Sequence, residues 1–118
     1  MKKICVGKHL IIDSYNCDKD AINSVEDVKS LIRELSAAIN VTILQEGYQE
    51  YTPKGITGFA VVSESHIAVH TWPEYRYVGV DIFSCKPINL DTVLNTLNGR
   101  IPGAVYDYRF FDRVSASN

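Results

Sequence analysis

The sequence predicts an α+β fold: a two-layer α/β sandwich, a largely antiparallel sheet with two helices on one face. Three observations predict it. Short segments of alternating apolar and polar residues follow one another closely, as antiparallel neighbours do. Only two stretches have helical spacing, and two helices cover one face of such a sheet. At 118 residues the chain reads as one domain, 1–118, able to bury roughly two-thirds of its unfolded surface. The expected order is strand-helix-strand-strand-strand-helix-strand. The open face is expected to be half polar, or closed by a second copy of the chain.

Residues 3–15 read as a strand, with Ile4, Val6, Leu10 and Ile12 at even spacing. Asn16-Cys17-Asp18 reads as a turn. Ser24 suits a helix N-cap, with Asp27 three residues on in a near capping box. Val25, Val28, Leu31, Ile32, Leu35, Ala38 and Ile39 then recur at helical spacing, which predicts an amphipathic helix over 25–39. Val41 to Tyr51 reads as a strand, and Thr52-Pro53-Lys54-Gly55 as a turn or loop. Residues 57–63 and 66–72 read as strands that meet near Glu64-Ser65, and Pro73-Glu74 breaks the second. Tyr77 to Cys85 alternates Val78, Val80 and Ile82 against Tyr77, Gly79, Asp81 and Phe83. Asn89 can cap a short helix with the apolar face Leu90, Val93, Leu94 and Leu97. Pro102-Gly103 turns the chain into a last strand over about 104–114.

Composition narrows the function classes. The chain is 46% hydrophobic and 22% charged, with a net charge of −2 and no long basic run. That argues against a nucleic-acid groove or a membrane-surface patch. No apolar run reaches the length of a membrane helix. The first apolar stretch is broken by Lys8, His9 and Asp13, so a secretory leader is not expected. Cys5, Cys17 and Cys85 are odd in number and irregularly spaced, which suits free thiols in a reducing cytoplasm.

One stretch stands apart: SESHIAVHTWPE, Ser63 to Glu74. It has the rhythm of a strand yet carries two serines, two histidines and two glutamates. His66 and His70 share one face of a strand, and with Glu74 or Cys85 they could bind zinc. No third ligand has diagnostic spacing, and the paired-histidine motif belongs to helices, so no metal is expected. Ser65, His70 and a carboxylate could form a hydrolytic triad, but no Gly-x-Ser-x-Gly elbow is present. Taken singly, these residues suit a solvated sheet face or a subunit interface, and Trp72 suits a core anchor.

Taken together, Ser63 to Tyr75 closely resembles the processing and active-site segment of the prokaryotic S-adenosylmethionine decarboxylases, a pyruvoyl-dependent family. Gly7-Lys8-His9-Leu10 and Tyr15-Asn16-Cys17-Asp18 resemble the family's N-terminal strand and turn. Pro53-Lys54-Gly55-Ile56-Thr57-Gly58 resembles its Pro-x-Gly-Val-Ser-Gly loop, and Val80-Asp81-Ile82-Phe83-Ser84-Cys85 the strand ending in its catalytic cysteine. The likeness runs without a gap from about residue 7 to 85 and weakens over the last thirty or so.

The resemblance implies self-cleavage of the Glu64–Ser65 bond into 1–64 (beta chain) and 65–118 (alpha chain). It implies that Ser65 becomes a covalent pyruvoyl group, whose ketone forms a Schiff base with the substrate amine and serves as electron sink. No diffusible cofactor or metal is implied. By position, His70 matches the processing base, Thr57 the processing hydroxyl and Cys85 the proton donor to the substrate carbon. Glu74 matches the ribose-binding acid, and Tyr51 an aromatic near the substrate. A break at Glu64-Ser65 would have to bring Ser65 and His70 together, since they lie five apart. The family also implies a homodimer of processed units with the site at or near the interface.

The chain departs from the pattern in places. Gln49-Glu50-Tyr51 replaces His-Arg-Phe, Thr57 replaces a serine, Arg76 a glycine, and Lys86-Pro87 follows Cys85 where the family has Gly. Glu50 would suit a cationic substrate, and Arg76 an anionic group or a solvated rim. The expected activity is S-adenosylmethionine decarboxylase, producing the aminopropyl donor for spermidine synthesis. An ornithine or arginine decarboxylase on the same scaffold and an unprocessed regulatory partner are the alternatives.

Overall fold

The computed structural model describes residues 2–117. The chain runs β1 (Lys2–Tyr15), α1 (Val25–Ala38), β2 (Ile43–Glu50), β3 (Ile56–Val62), β4 (Ser65–Trp72), β5 (Tyr77–Ser84), α2 (Leu90–Arg100) and β6 (Val105–Ser117). Short 3-10 turns occupy Lys19–Ala21 and Pro73–Tyr75. The six strands form one sheet in the order β2-β3-β4-β5-β1-β6, antiparallel throughout. The α+β sandwich expected from the sequence is the observed architecture. Four strands rather than three separate the helices. The segments read as strands, Val41–Tyr51, 57–63, 66–72 and Tyr77–Cys85, already number four, and the expected order undercounts them by one.

Local signals set the helices. Ser24 accepts a hydrogen bond from the Asp27 amide at 3.0 Å, and Asn89 accepts from that of Thr92 at 3.1 Å. Each cap satisfies a backbone donor that the first helical turn leaves free. Val28, Leu31, Ile32 and Leu35 of α1 are buried against β2, β3, β4 and α2. Val93 and Leu97 of α2 join the same core.

Strand alternation supplies the other wall. Leu10 and Ile12 of β1, Ala60 and Val62 of β3, Ile67 and Val69 of β4, and Val78, Val80 and Ile82 of β5 lie under the helices. Burying one such aliphatic side chain contributes about 1.5–3 kcal/mol. The alternate residues face outward and leave Phe59, Val61, Trp72 and Phe111 each at least 40% exposed. This open face carries Thr57 and His70, described below.

Ile4 and Val6 do not continue the core stripe of β1. The β1–β6 register shifts between Cys5 and Gly7, and both side chains are exposed. A bulge adds one residue and breaks the period-two rule at that point. Trp72 is not a core anchor either: it is 43% exposed at the end of β4.

Candidate active site

The expected site residues fall into two groups at opposite ends of β4. At its C-terminal end, Thr57 and His70 are direct cross-strand partners on the open face. Thr57 Oγ1 lies 3.3 Å from His70 Nδ1 and accepts a hydrogen bond from the Tyr51 hydroxyl at 3.1 Å. The loop between β2 and β3 places Tyr51. Its amide donates to the Gly55 carbonyl at 2.8 Å, closing the loop on itself. Gly55 has φ +101, and a Cβ there would press on the Thr71 carbonyl; glycine takes that conformation without steric cost. The buried Thr71 hydroxyl accepts from the Ile56 amide at 3.0 Å and anchors the loop's far end.

These residues line a cavity of about 460 Å³ with Lys54, Trp72 and Glu74. Glu74 enters from the 3-10 turn Pro73–Tyr75, where the proline ends β4. The cavity joins a carboxylate, an ammonium, an imidazole, a hydroxyl and two aromatic faces. That set can hold a polar ligand with a flat or cationic part. Lys54 and Trp72 were not singled out as site residues from sequence. The signal for Lys54 was its position inside the Pro-x-Gly loop; a tryptophan at a strand end gives none.

At the N-terminal end, Ser65 opens β4 opposite Ser84 of β5. Its Oγ lies 3.7 Å from Cys85 Sγ, within reach of a hydrogen bond to sulfur. The buried Ser84 hydroxyl accepts from the Lys86 amide at 3.0 Å, which turns the chain just after Cys85. Glu64 sits in the turn before Ser65. Ser63 ties that turn to the segment ahead of β2: its amide donates to the Thr42 carbonyl and its hydroxyl accepts from the Thr42 amide, both at 3.0 Å.

The turn at Ser63-Glu64 does not bring Ser65 and His70 together. β4 is unbroken between them, so they are separated by about 16 Å at ~3.3 Å per residue. They also belong to opposite faces, because five is an odd number of steps. His66 shares the face of His70 but meets His9 and Asp81 instead, while Glu74 and Cys85 lie at opposite ends of the sheet.

The two changed charges have definite places. Glu50 is exposed on β2 and is not among the residues lining the cavity. Arg76 adopts φ 53 and ψ 46, the left-handed region where glycine is the easy residue. Its Nε donates to the Cys17 carbonyl at 2.9 Å, and its own carbonyl accepts from the Cys17 amide at 2.9 Å. Arg76 is exposed, as a rim residue would be, and its Nε bond also ties it to the turn after β1.

Fold and site define a small two-layer α+β protein with a serine–cysteine pair and a hydroxyl–imidazole pair at opposite ends of one strand, β4. The S-adenosylmethionine decarboxylase family pattern matches residues 8–114. The S-adenosylmethionine decarboxylase proenzyme of Thermodesulfovibrio yellowstonii is 34% identical over 105 residues, covering 85% of this chain and 78% of the relative. That of Clostridium botulinum (strain Loch Maree / Type A3) is 39% identical over 80 residues, covering 68% and 69%. The crystal structure of the adenosylmethionine decarboxylase from Aquifex aeolicus superposes with a TM-score of 0.83 at 29% identity, covering 92% of this chain and 91% of that one. This chain belongs to the S-adenosylmethionine decarboxylase family.

Proposed function

We propose that this protein is made as a proenzyme, cuts itself between Glu64 and Ser65, and decarboxylates S-adenosylmethionine with a pyruvoyl group derived from Ser65. The observation that carries the reading is the Ser65–Cys85 contact, where the β3–β4 turn meets the end of β5. The site fits the group. Ser65 begins a strand immediately after a turn, so a new chain end there needs no refolding, and a thiol stands 3.7 Å away.

Self-cleavage uses the chain's own atoms. Ser65 Oγ adds to the Glu64 carbonyl carbon, and the amide becomes an ester as the nitrogen leaves it. A base removes the Ser65 Cα proton, and elimination expels the Glu64 carboxylate. Water then hydrolyses the resulting chain end, releasing ammonia and leaving the ketone. The pyruvoyl group supplies an electrophilic carbonyl and an electron sink for the departing carboxylate. Cys85 holds the proton that returns to the substrate carbon. Tyr51 and Glu74 bind the nucleoside part, an aromatic face for the adenine or sulfonium and a carboxylate for the ribose hydroxyls.

His70 is the processing base. Thr57 Oγ1 has two acceptor lone pairs, one for the Tyr51 hydroxyl and one for His70 Nδ1–H. In that tautomer Nε2 keeps its lone pair, as a general base needs. Because His70 stands about 16 Å from Ser65 in its own chain, the reading includes a homodimer. Two copies related by a two-fold axis, open faces together, set the Ser65–Cys85 end of one against the Thr57–His70 end of the other. The exposed Phe59, Val61, Trp72 and Phe111 support such a cover. Cys5, Cys17 and Cys85 are free thiols, which suits a cytoplasmic enzyme.

The test is the intact mass of the purified chain under denaturing conditions, followed by a CO₂-release assay. Expected are two pieces meeting at Glu64/Ser65, the second with a blocked pyruvoyl start, and turnover of S-adenosylmethionine. A single full-length chain, stable over days, would overturn the proposal. Turnover of ornithine or arginine in its place would overturn the substrate alone.

A further inference from the structure

A third cluster lies on the open face, apart from both groups above. His9 of β1 and His66 of β4 each pair across Phe83 of β5, so the two imidazoles flank one phenyl ring. Asp81, two residues back on β5, points to the same face. Its Oδ1 lies 2.6 Å from His9 Nε2 and 3.4 Å from His66 Nε2. One ligand atom from each of the three residues falls within 4.8 Å of the others. Three adjacent strands thus converge two imidazoles and one carboxylate on one point.

We infer that His9, His66 and Asp81 form a binding site for a divalent transition-metal ion of the zinc type. Imidazole and carboxylate together suit zinc, cobalt, nickel and ferrous iron. Three protein ligands with the remaining position open is the arrangement of an accessible site. An ion about 2.1 Å from each donor would hold them roughly 3.4 Å apart in tetrahedral geometry. The His66–Asp81 separation already has that value; His9 and Asp81 must part by less than an ångström. In the isolated chain the side chains of His66 and Asp81 are 45% and 38% exposed; in the proposed dimer the cluster lies between the two sheets, and the ion enters before the copies pair or as they part. The better-shielded His9 and the Phe83 ring form an apolar floor that strengthens charge–ligand attraction.

Arg113 supplies the competing arrangement. Its NH1 lies 3.3 Å from His9 Nδ1. Donation there makes Nδ1 the acceptor and leaves the proton on Nε2, facing Asp81. Metal binding reverses the tautomer: Nε2 takes the ion, Nδ1 takes the proton, and the guanidinium withdraws. In its present position the guanidinium also lies over the Phe83 ring, 5.5 Å from the centroid. The three ligands all come from one chain and do not depend on the pyruvoyl reading.

The full chain, dialysed against a chelator and equilibrated overnight with zinc alone, is expected to hold one ion per chain. His66→Ala and Asp81→Asn should each weaken binding by ~10-fold or more, and Arg113→Ala should tighten it by removing a competitor and a positive charge. Zinc should raise the melting temperature of the wild type and leave that of Asp81→Asn unmoved. Cobalt should give a visible spectrum without the intense thiolate charge-transfer band that Cys5 or Cys85 ligation would produce. No saturable binding to the wild type, equal binding to both ligand variants, or a thiolate band would overturn the inference.

Discussion

Thr57 and His70 stand opposite one another across β3 and β4, Oγ1 3.3 Å from Nδ1, with Ser65 five residues away along the same strand. In the proposed dimer, each site takes its serine from one copy and its imidazole from the other. Ser65→Ala and His70→Ala chains should each remain uncut and inactive alone. Co-expressed, they should regain cleavage of the His70→Ala chain only, because only its Ser65 meets an intact His70. Mass spectrometry of the two tagged chains reads the result. No cleavage in the mixture would place the base in the same chain as its serine.

The hydroxyl of Thr57 links Tyr51 to His70. Thr57→Ser keeps that link and should process at a rate near that of the parent chain. Thr57→Val is nearly isosteric but has no hydroxyl, and its fragments should appear roughly 100-fold more slowly or worse. Equal rates for serine and valine would remove Thr57 from processing.

Cys85 stands beside Ser65, and the proton-donor role concerns turnover rather than cleavage. Cys85→Ala should still yield at least some of both fragments while turnover falls by on the order of 100-fold. Unchanged turnover in the cleaved fraction would assign the donor elsewhere. Alkylation adds a check. The buried Cys17 thiol is pushed up by desolvation and should label only on unfolding, whereas exposed Cys5 and Cys85 should label in the native protein.

Stability should fall on the alkaline side. Burial raises Cys17 above 9.0 and Tyr106 above 10.0, and burial with Glu46 pushes Tyr48 to about 12. Burial and the hydrogen bond to Asp13 raise Tyr77 as well. All four stay protonated in the fold at a pH where the unfolded chain has released its protons. Their stabilisation is therefore full below 9.0 and lost as pH climbs toward about 12. Melting temperatures should decline across that window, and Tyr77→Phe should flatten the decline.

Arg76 combines a left-handed backbone with a hydrogen bond to the Cys17 carbonyl. Arg76→Ala loses the bond and keeps the strain; Arg76→Gly loses the bond and relieves it. The glycine variant should be more stable than the alanine variant by about 1 kcal/mol in urea unfolding. Equal stability would mean that the backbone at 76 is not strained.

Legibility followed distance along the chain. The helix expected over 25–39 and observed over Val25–Ala38 is set by the Ser24 cap and a repeating apolar face, both contained in fifteen or so residues. The alternation of Val78, Val80 and Ile82 against Asp81 and Phe83 is equally local. The sequence motif named Ser65, His70 and Cys85 but could not say that β4 holds the first two apart, because a straight strand and a bent one have the same spelling. The meeting of His9 with Asp81 was hidden for another reason. It joins residues 72 positions apart through the β1–β5 register, which no spacing rule reaches. Ile4 and Val6 misled because a bulge leaves the alternation intact in sequence while breaking it in space.

The strand order has one more consequence. β1 lies between β5 and β6, while β3 borders β4. Of these, β1, β2 and β3 precede the Glu64–Ser65 bond, and β4, β5 and β6 follow it. A chain severed there becomes two interdigitated polypeptides that share three ladders. Neither piece can leave without tearing open the middle of the sheet, so the nick should be silent in the native state. It shows on melting, where unfolding also separates the two pieces of each chain, so the midpoint depends more steeply on protein concentration than that of the uncut chain.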